Sequence, residues 1–170
     1  MKENYIIICF GQFLFANHGK YGVNNENFLH NWTLGDPMLD QATGITRFEA
    51  ADPAAGGQRR PFAKAVRAGD FIYISGQVPA EKGEIVAGGI VLQTEKVMEN
   101  IVGVLKLAGC GLEHVIKVNV WLDDPRDFSS FNGVFEKYFI DHPPARSTVQ
   151  SALMVDAKVE MDVIAYKPEP

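Results

Sequence analysis

Cysteine, histidine and clustered positive charge are scarce in this sequence, and each scarcity argues against a class of function. The two cysteines, Cys9 and Cys110, lie far apart and in no CxxC or Cys/His spacing. Neither a disulfide scaffold nor a structural zinc site is therefore expected, and a reducing, cytoplasmic setting fits. The four histidines, His18, His30, His114 and His142, form no HxxxH or HExxH pattern, so no metal site is expected. The formal charge is −5, and the tight basic pair Arg59–Arg60 stands in a Gly/Pro-rich stretch that reads as solvated loop. A binder of phosphate backbones needs a basic stripe, so no nucleic-acid partner is expected. No apolar run reaches the ~18 residues of a membrane span. No Ser-His-Asp or Cys-His pair offers a nucleophile, and no glycine-rich loop precedes a helix to cradle phosphates.

What is present suits one well-cored domain: 170 residues, 46% hydrophobic and 22% charged. The front end differs in composition. Six of the nine asparagines fall at or before Asn31, and Ala16 and Ala42 are the only alanines before position 45. The apolar run Tyr5–Ala16 invites comparison with a secretory leader, but Glu3 weakens its basic region and no A-x-A site follows. Asn31–Trp32–Thr33 is a glycosylation sequon, relevant only to a secreted chain. Residues 1–44 are read as an extension outside the core fold and without chemistry, and 45–170 as the domain. Residues 50–57, AADPAAGG, read as a loop.

Beyond Arg60 the pattern is legible. Ala65–Val66, the turn signal Gly69–Asp70 and Phe71–Ser75 predict a hairpin, and Gly76 predicts a bulge or a close backbone approach. A helix is expected from Ile90 to Leu107, with an apolar stripe from Val91 to Ala108, closed by Gly109 and Gly111. Val115–Leu122 alternates as a strand, with Ile116, Val118, Val120 and Leu122 on one face and Lys117, Asn119 and Trp121 on the other. Asp124–Pro125 opens a second helix whose stripe of Phe128, Phe131, Phe135 and Tyr138–Phe139 reads as core. Two strands, Ala145–Met154 and Val159–Lys167, end the pattern, joined by a short turn. The order β-β-α-β-α-β-β predicts an α+β sheet with both helices packed on one face. Its other face must be covered, so a homo-oligomer is expected.

Three polar residues interrupt apolar elements: Arg146 in a strand, Glu160 between Val159 and Met161, and Asn132 in the aromatic helix. A guanidinium forks toward planar anions, so a small carboxylate is a natural ligand for Arg146. Glu160 beside the same pocket could orient a water or carry a proton. On pattern alone the ordinary account is favoured: a cross-strand Arg–Glu pair worth ~0.2–1 kcal/mol, with Asn132 on a helix surface, Gly76 a packing bulge and Thr148 a plain β-former.

From Pro61 to Pro168 the sequence resembles the Rid (YjgF-like) family of enamine/imine deaminases. The likeness runs in order through PFAKAV (61–66), ISGQVP (74–79), TEKVMENI, KVNVWLDD, FSSFNGVFEKYF, PPARSTVQ and VEMDVIAY. It implies a chorismate-mutase-like fold and a homotrimer with ligand clefts between subunits. It implies that Arg146 binds the substrate carboxylate and that Glu160 acts as acid/base or orients water. Gly76 would contribute ligand-binding backbone, with Ser75 beside it, and Asn132 and Thr148 would also bind substrate. Two positions depart from the family. Phe62 stands where well-studied members have tyrosine, so it can only wall the pocket; Thr148 stands where many have cysteine, which rules out a thiolate. The implied activity is hydrolysis of 2-aminoacrylate and similar 2-iminobutanoate- or 2-iminopropanoate-type intermediates to 2-oxo acid and ammonia, with no metal or cofactor. A non-catalytic carboxylate sensor or chaperone is the alternative, and an endoribonuclease a third.

Overall fold

The computed structural model describes residues 37–52 and 58–168, together with two dipeptide strands, Ile8–Cys9 and Gln12–Phe13. The chain divides into two compact units, Met1–Trp32 and Thr33–Pro170. In the first, Ile8–Cys9 pairs antiparallel with Gln12–Phe13. The sequon lies outside the described residues, as does most of the apolar run.

The second unit is built on a seven-stranded sheet. Its strands are β1 (Met38–Asp40), β2 (Ile45–Phe48), β3 (Ala65–Ala68), β4 (Phe71–Gln77), β5 (Val115–Leu122), β6 (Ala145–Gln150) and β7 (Val159–Tyr166). Their spatial order is β6-β5-β7-β4-β3-β2-β1. Helices α1 (Ile90–Leu107) and α2 (Phe128–Phe139) complete the unit, so the expected α+β architecture and element order are present from β3 onward. The hairpin β3–β4 turns at Gly69, whose φ of +57° is cheap only for glycine. Asp124 accepts from the Arg126 backbone N–H at 2.9 Å, capping a 3-10 turn that leads into α2. The Arg126 side chain also donates to this carboxylate and holds its pKa down at about 2.

One face of the sheet carries the core. Ile72 and Ile74 of β4, Val118, Val120 and Leu122 of β5, and Val159, Met161, Val163 and Ala165 of β7 are buried beneath the helices. From α1 come Val97, Met98, Ile101, Val104 and Leu105, and from α2 come Phe131, Val134, Phe135 and Phe139. Each such side chain contributes ~1.5–3 kcal/mol by leaving water. Period-2 alternation meeting period-3.6 alternation is what puts both helices on one side. The opposite face shows Phe71, Tyr73 and Tyr166 exposed, with ring centroids of Phe71 and Tyr166 5.2 Å apart.

Four expectations need correction. The boundary at 44/45 falls inside a hairpin: Met38, Leu39 and Asp40 pair with Arg47, Thr46 and Ile45, so the sheet reaches upstream into the supposed extension. The Asp40 carboxylate accepts from the Ala42 N–H and the Thr43 hydroxyl, giving that turn a local cap that composition does not reveal. Ile116 does not share the buried face. A bulge between Val115 and Lys117 shifts the phase, leaving Ile116 45% exposed while Val115 and Val118 both point inward. The strand from Ala145 ends at Gln150 rather than Met154, and it does not form a hairpin with β7. Instead β5 lies between them, parallel to β6 and antiparallel to β7, so residues 151–158 cross over. The loops 50–57 and around Pro79–Gly83 also carry short ladders, Ala51–Asp52 with Gln58–Arg59 and Ala80–Glu81 with Glu84–Ile85.

Candidate functional site

The edge strand β6 positions the arginine. In its parallel register Arg146 pairs with Val118 and Thr148 with Val120, both inward-facing partners, so Arg146 and Thr148 point to the helix side. Because β6 is outermost, what stands over that side at Arg146 is the aromatic face of α2. The guanidinium carbon lies 4.6 Å from the Phe135 ring centroid, 5.6 Å from that of Phe131 and 5.8 Å from that of Phe128. No hydrogen bond or ion pair to Arg146 is formed among the described residues. Burial alone pulls its pKa below the usual guanidinium range, since no carboxylate stands against it. Beside it opens a cleft of ≈ 480 Å³ lined by Asn132, Glu136, Pro143, Pro144, Phe135 and Phe139. Two residues along, the Thr148 hydroxyl oxygen is buried with no hydrogen-bond partner. A buried polar atom without a partner costs ~1–3 kcal/mol and asks for a reason.

Glu160 sits elsewhere. It alternates outward from Val159 and Met161 and pairs across the ladder with Trp121, so it occupies the sheet's open face. Within one protomer Arg146 and Glu160 lie on opposite faces of the sheet, with β5 between their strands. The same register disposes of the cross-strand ion pair. Glu160 lies over a bulge in β4, where the ladder runs from Met161↔Gln77 to Val163↔Ile74 and leaves Ser75 and Gly76 opposite Asp162. A Cβ on Gly76 would stand 2.1 Å from the Glu160 carboxylate, so only glycine leaves room for it. Burial, and then the nearby Asp162 charge, raise the Glu160 pKa above the usual carboxylate range. Asp162 itself accepts a hydrogen bond from the Asn119 amide at 2.8 Å.

Gly76 also lines a larger cleft of ≈ 870 Å³, together with Phe62, Arg60, Lys64, Lys82 and Asn100. Lys64 pairs there with Glu49 at 2.6 Å. Ser75 is committed to structure in the protomer, its hydroxyl donating to the Ala63 carbonyl at 2.7 Å. The seven expected residues therefore fall into two groups. Arg146, Asn132 and Thr148 gather on the helix side of β6; Gly76, Ser75, Phe62 and Glu160 gather around the β4 bulge. The three rings beneath Arg146 were legible only as core. Their i, i+3, i+7 spacing marks one helix face, but nothing in the pattern pairs that face with a cation. Of the basic side chains near Phe62, Arg60 and Lys64 flank it directly in the sequence, whereas Lys82 comes from a separate loop and leaves no local signal. Among the described residues no group of three or more His, Cys, Asp or Glu side chains is placed to hold a metal ion.

Comparison with known proteins gives a consistent picture. A family model described as endoribonuclease L-PSP matches residues 53–167. A RutC family protein of Pyrococcus abyssi is 46% identical over 110 residues, covering 63% of this chain and 87% of that protein. The 2-iminobutanoate/2-iminopropanoate deaminase of Capra hircus is 40% identical over 121 residues, covering 69% of this chain and 86% of that protein. The crystal structure of E. coli TdcF with bound serine is 33% identical with a TM-score of 0.60, covering 65% of this chain and 91% of that one.

Proposed function

Because this chain belongs to the endoribonuclease L-PSP family, which is also the Rid (YjgF-like) family, we propose that it hydrolyses small enamine/imine intermediates such as 2-aminoacrylate to 2-oxo acid and ammonia. One observation carries the reading: a guanidinium drawn partly out of water, without any acid partner, at the mouth of a cleft. Such a group gains most from a small carboxylate, which it grips through two parallel N–H···O bonds. The Thr148 hydroxyl and the Asn132 amide supply further polar contacts on the same side.

The chemistry is simple in its balance. An enamine takes a proton on carbon and gives one up from nitrogen, becoming the imine; water adds across C=N, its oxygen to carbon and a proton to nitrogen; the resulting carbinolamine passes its O–H proton to nitrogen and expels ammonia as the C–N bond breaks and C=O forms. Glu160 orients that water or relays the proton, and burial raises its pKa above the usual carboxylate range. Imines hydrolyse unaided, so ~10²–10⁴-fold general acid–base assistance is sufficient.

One protomer holds the arginine and the glutamate on opposite faces, so the complete site joins the β6 edge of one subunit to the β4 bulge of another. The unpaired outer edge of β6 and the exposed apolar side chains Phe71, Tyr73, Val149 and Tyr166 support such a homotrimeric seam. Arg146→Ala lowers release of ammonia and 2-oxo acid from an enamine generated in situ by roughly 10- to 100-fold. Arg146→Lys rescues little, for want of a fork. Equal rates for wild type and Arg146→Ala refute the proposal.

The family's description favours a second reading, RNA cleavage, and the larger cleft does combine Phe62 with Arg60, Lys64 and Lys82. Against it stand the net charge of −5 and the pairing of Lys64 with Glu49. Nuclease activity that copurifies through rigorous fractionation and disappears in Arg146→Ala establishes it instead.

A further inference from the structure

Arginines in this fold are held in different ways. Asp124 grips Arg126, and the carbonyls of Lys167 and Ala108 accept from Arg67 at 3.1 and 3.2 Å. Arg146 is held by aromatic rings. Phe128, Phe131 and Phe135 stand on one face of α2, all within 6 Å of its guanidinium carbon. Phe131 and Phe135 are buried and would serve the core in any case. Phe128 is 43% exposed at the start of the helix, where packing does not call for a ring. Glu136 lines the same cleft yet makes no ion pair with the arginine.

We propose that Phe128, Phe131 and Phe135 form an aromatic cage that positions the Arg146 guanidinium for a carboxylate ligand. This rests on the reading of Arg146 as a carboxylate clamp and adds the device that holds it ready. An acid partner would orient the arginine equally well, but would occupy its N–H donors and cancel its charge. Ring faces attract the cation without accepting its N–H groups in the plane of the fork. All five donors and the whole positive charge then remain for the ligand. The rings also displace water from one side of the cation, which strengthens its attraction for an anion arriving on the other. These are positioning residues: they touch the arginine and not the reacting atoms.

The test is the affinity of pyruvate, a 2-oxo acid of the product class, measured by titration calorimetry on the full chain, with methyl pyruvate as the uncharged control. Phe128→Leu and Phe135→Leu weaken pyruvate binding by roughly 3- to 10-fold each, and raise KM for the imine with kcat nearly unchanged. Phe128→Tyr retains wild-type affinity because a ring face is restored. Methyl pyruvate is indifferent to all three changes, which a general loss of packing would not produce. If Phe135→Leu fails to fold, the half-exposed Phe128 decides the matter alone. Unchanged pyruvate affinity in the Leu variants, with affinity lost in Arg146→Ala, overturns the cage and spares the clamp. Pyruvate binding that is absent, or survives Arg146→Ala, overturns the clamp and the cage with it.

Discussion

The two faces of the sheet solve opposite problems with the same strands. On the helix side, charge is sparse among the described residues: Arg67 reaches the Ala108 carbonyl at the end of α1, and Arg146 lies beneath aromatic rings at the outermost strand. On the open side, Lys117, Asn119, Glu160 and Asp162 stand among Phe71, Tyr73 and Trp121, and the polar groups pair with one another: Lys117 with Ser147 at 2.7 Å and Asn119 with Asp162 at 2.8 Å. Glu160 escapes this pairing, as Arg146 does on its own face. Among the described residues a cation and an acid are each left without a partner on opposite sides of one sheet, the pattern expected when a second copy completes the arrangement. Ordinary packing would have satisfied both within the chain.

That contrast can be broken most forcefully at Gly76. Gly76→Ala pushes the Glu160 carboxylate off the bulge, because the new Cβ would meet it at 2.1 Å. The displaced atom is the free end of a flexible side chain, so thermal stability moves little while imine hydrolysis falls by about 10²-fold, the scale of lost acid–base help. Parallel melting and rate measurements check this; a stable variant with undiminished turnover removes Glu160 from the chemistry.

Thr148→Val should have a smaller effect and sharpens the other face. Replacing a buried, partnerless hydroxyl with a methyl group of like shape leaves stability equal or slightly higher. Imine KM nonetheless rises by roughly 3- to 10-fold if that hydroxyl meets the ligand, the worth of one hydrogen bond. A variant that loses stability instead shows that the hydroxyl is satisfied within the assembly.

The mildest effect concerns acidity. Because its folded pKa is raised by burial and by Asp162, Glu160 binds its proton more tightly in the folded state than in the unfolded. Its contribution to stability is therefore full below the ordinary glutamate range and is lost as pH climbs through the raised value. Glu160→Gln removes that dependence. The variant melts slightly above wild type at neutral pH, and the gap closes as pH falls toward 4. A gap that widens on acidification reverses the sign and contradicts the assignment.

Much of this fold was legible because local chemistry dictated it. Gly69–Asp70 fixed a hairpin, Asp124–Pro125 fixed a helix start, and the spacing from Val97 to Leu105 fixed a buried face. The strand order was not legible. Nothing near Ala145 says that it runs parallel to Val115–Leu122, and nothing near Val159 says that it slots between two earlier strands. Those pairings are long-range, and they decide the face on which each polar residue ends. The family likeness named Arg146 and Glu160, but their separation depends on register, which an edge strand reading Ala-Arg-Ser-Thr-Val-Gln does not declare by alternation. The bulge at Ile116 was hidden for the same reason: one extra residue shifts the phase without leaving a mark in composition. The Met38–Asp40 strand escaped notice because three residues carry too little pattern to outweigh the asparagine-rich stretch before them.

The place of β7 has a consequence for synthesis. It follows every other described strand in the chain, yet it lies between β5 and β4 near the middle of the sheet. While the ribosome is still extending the chain through Tyr166, the β3–β4 hairpin and the β5–β6 pair have no strand to join them. Each keeps a bare hydrogen-bonding edge and half an apolar face, the features that invite mispairing with another nascent chain. Closure of the whole sheet waits on eight residues, Val159–Tyr166, arriving last.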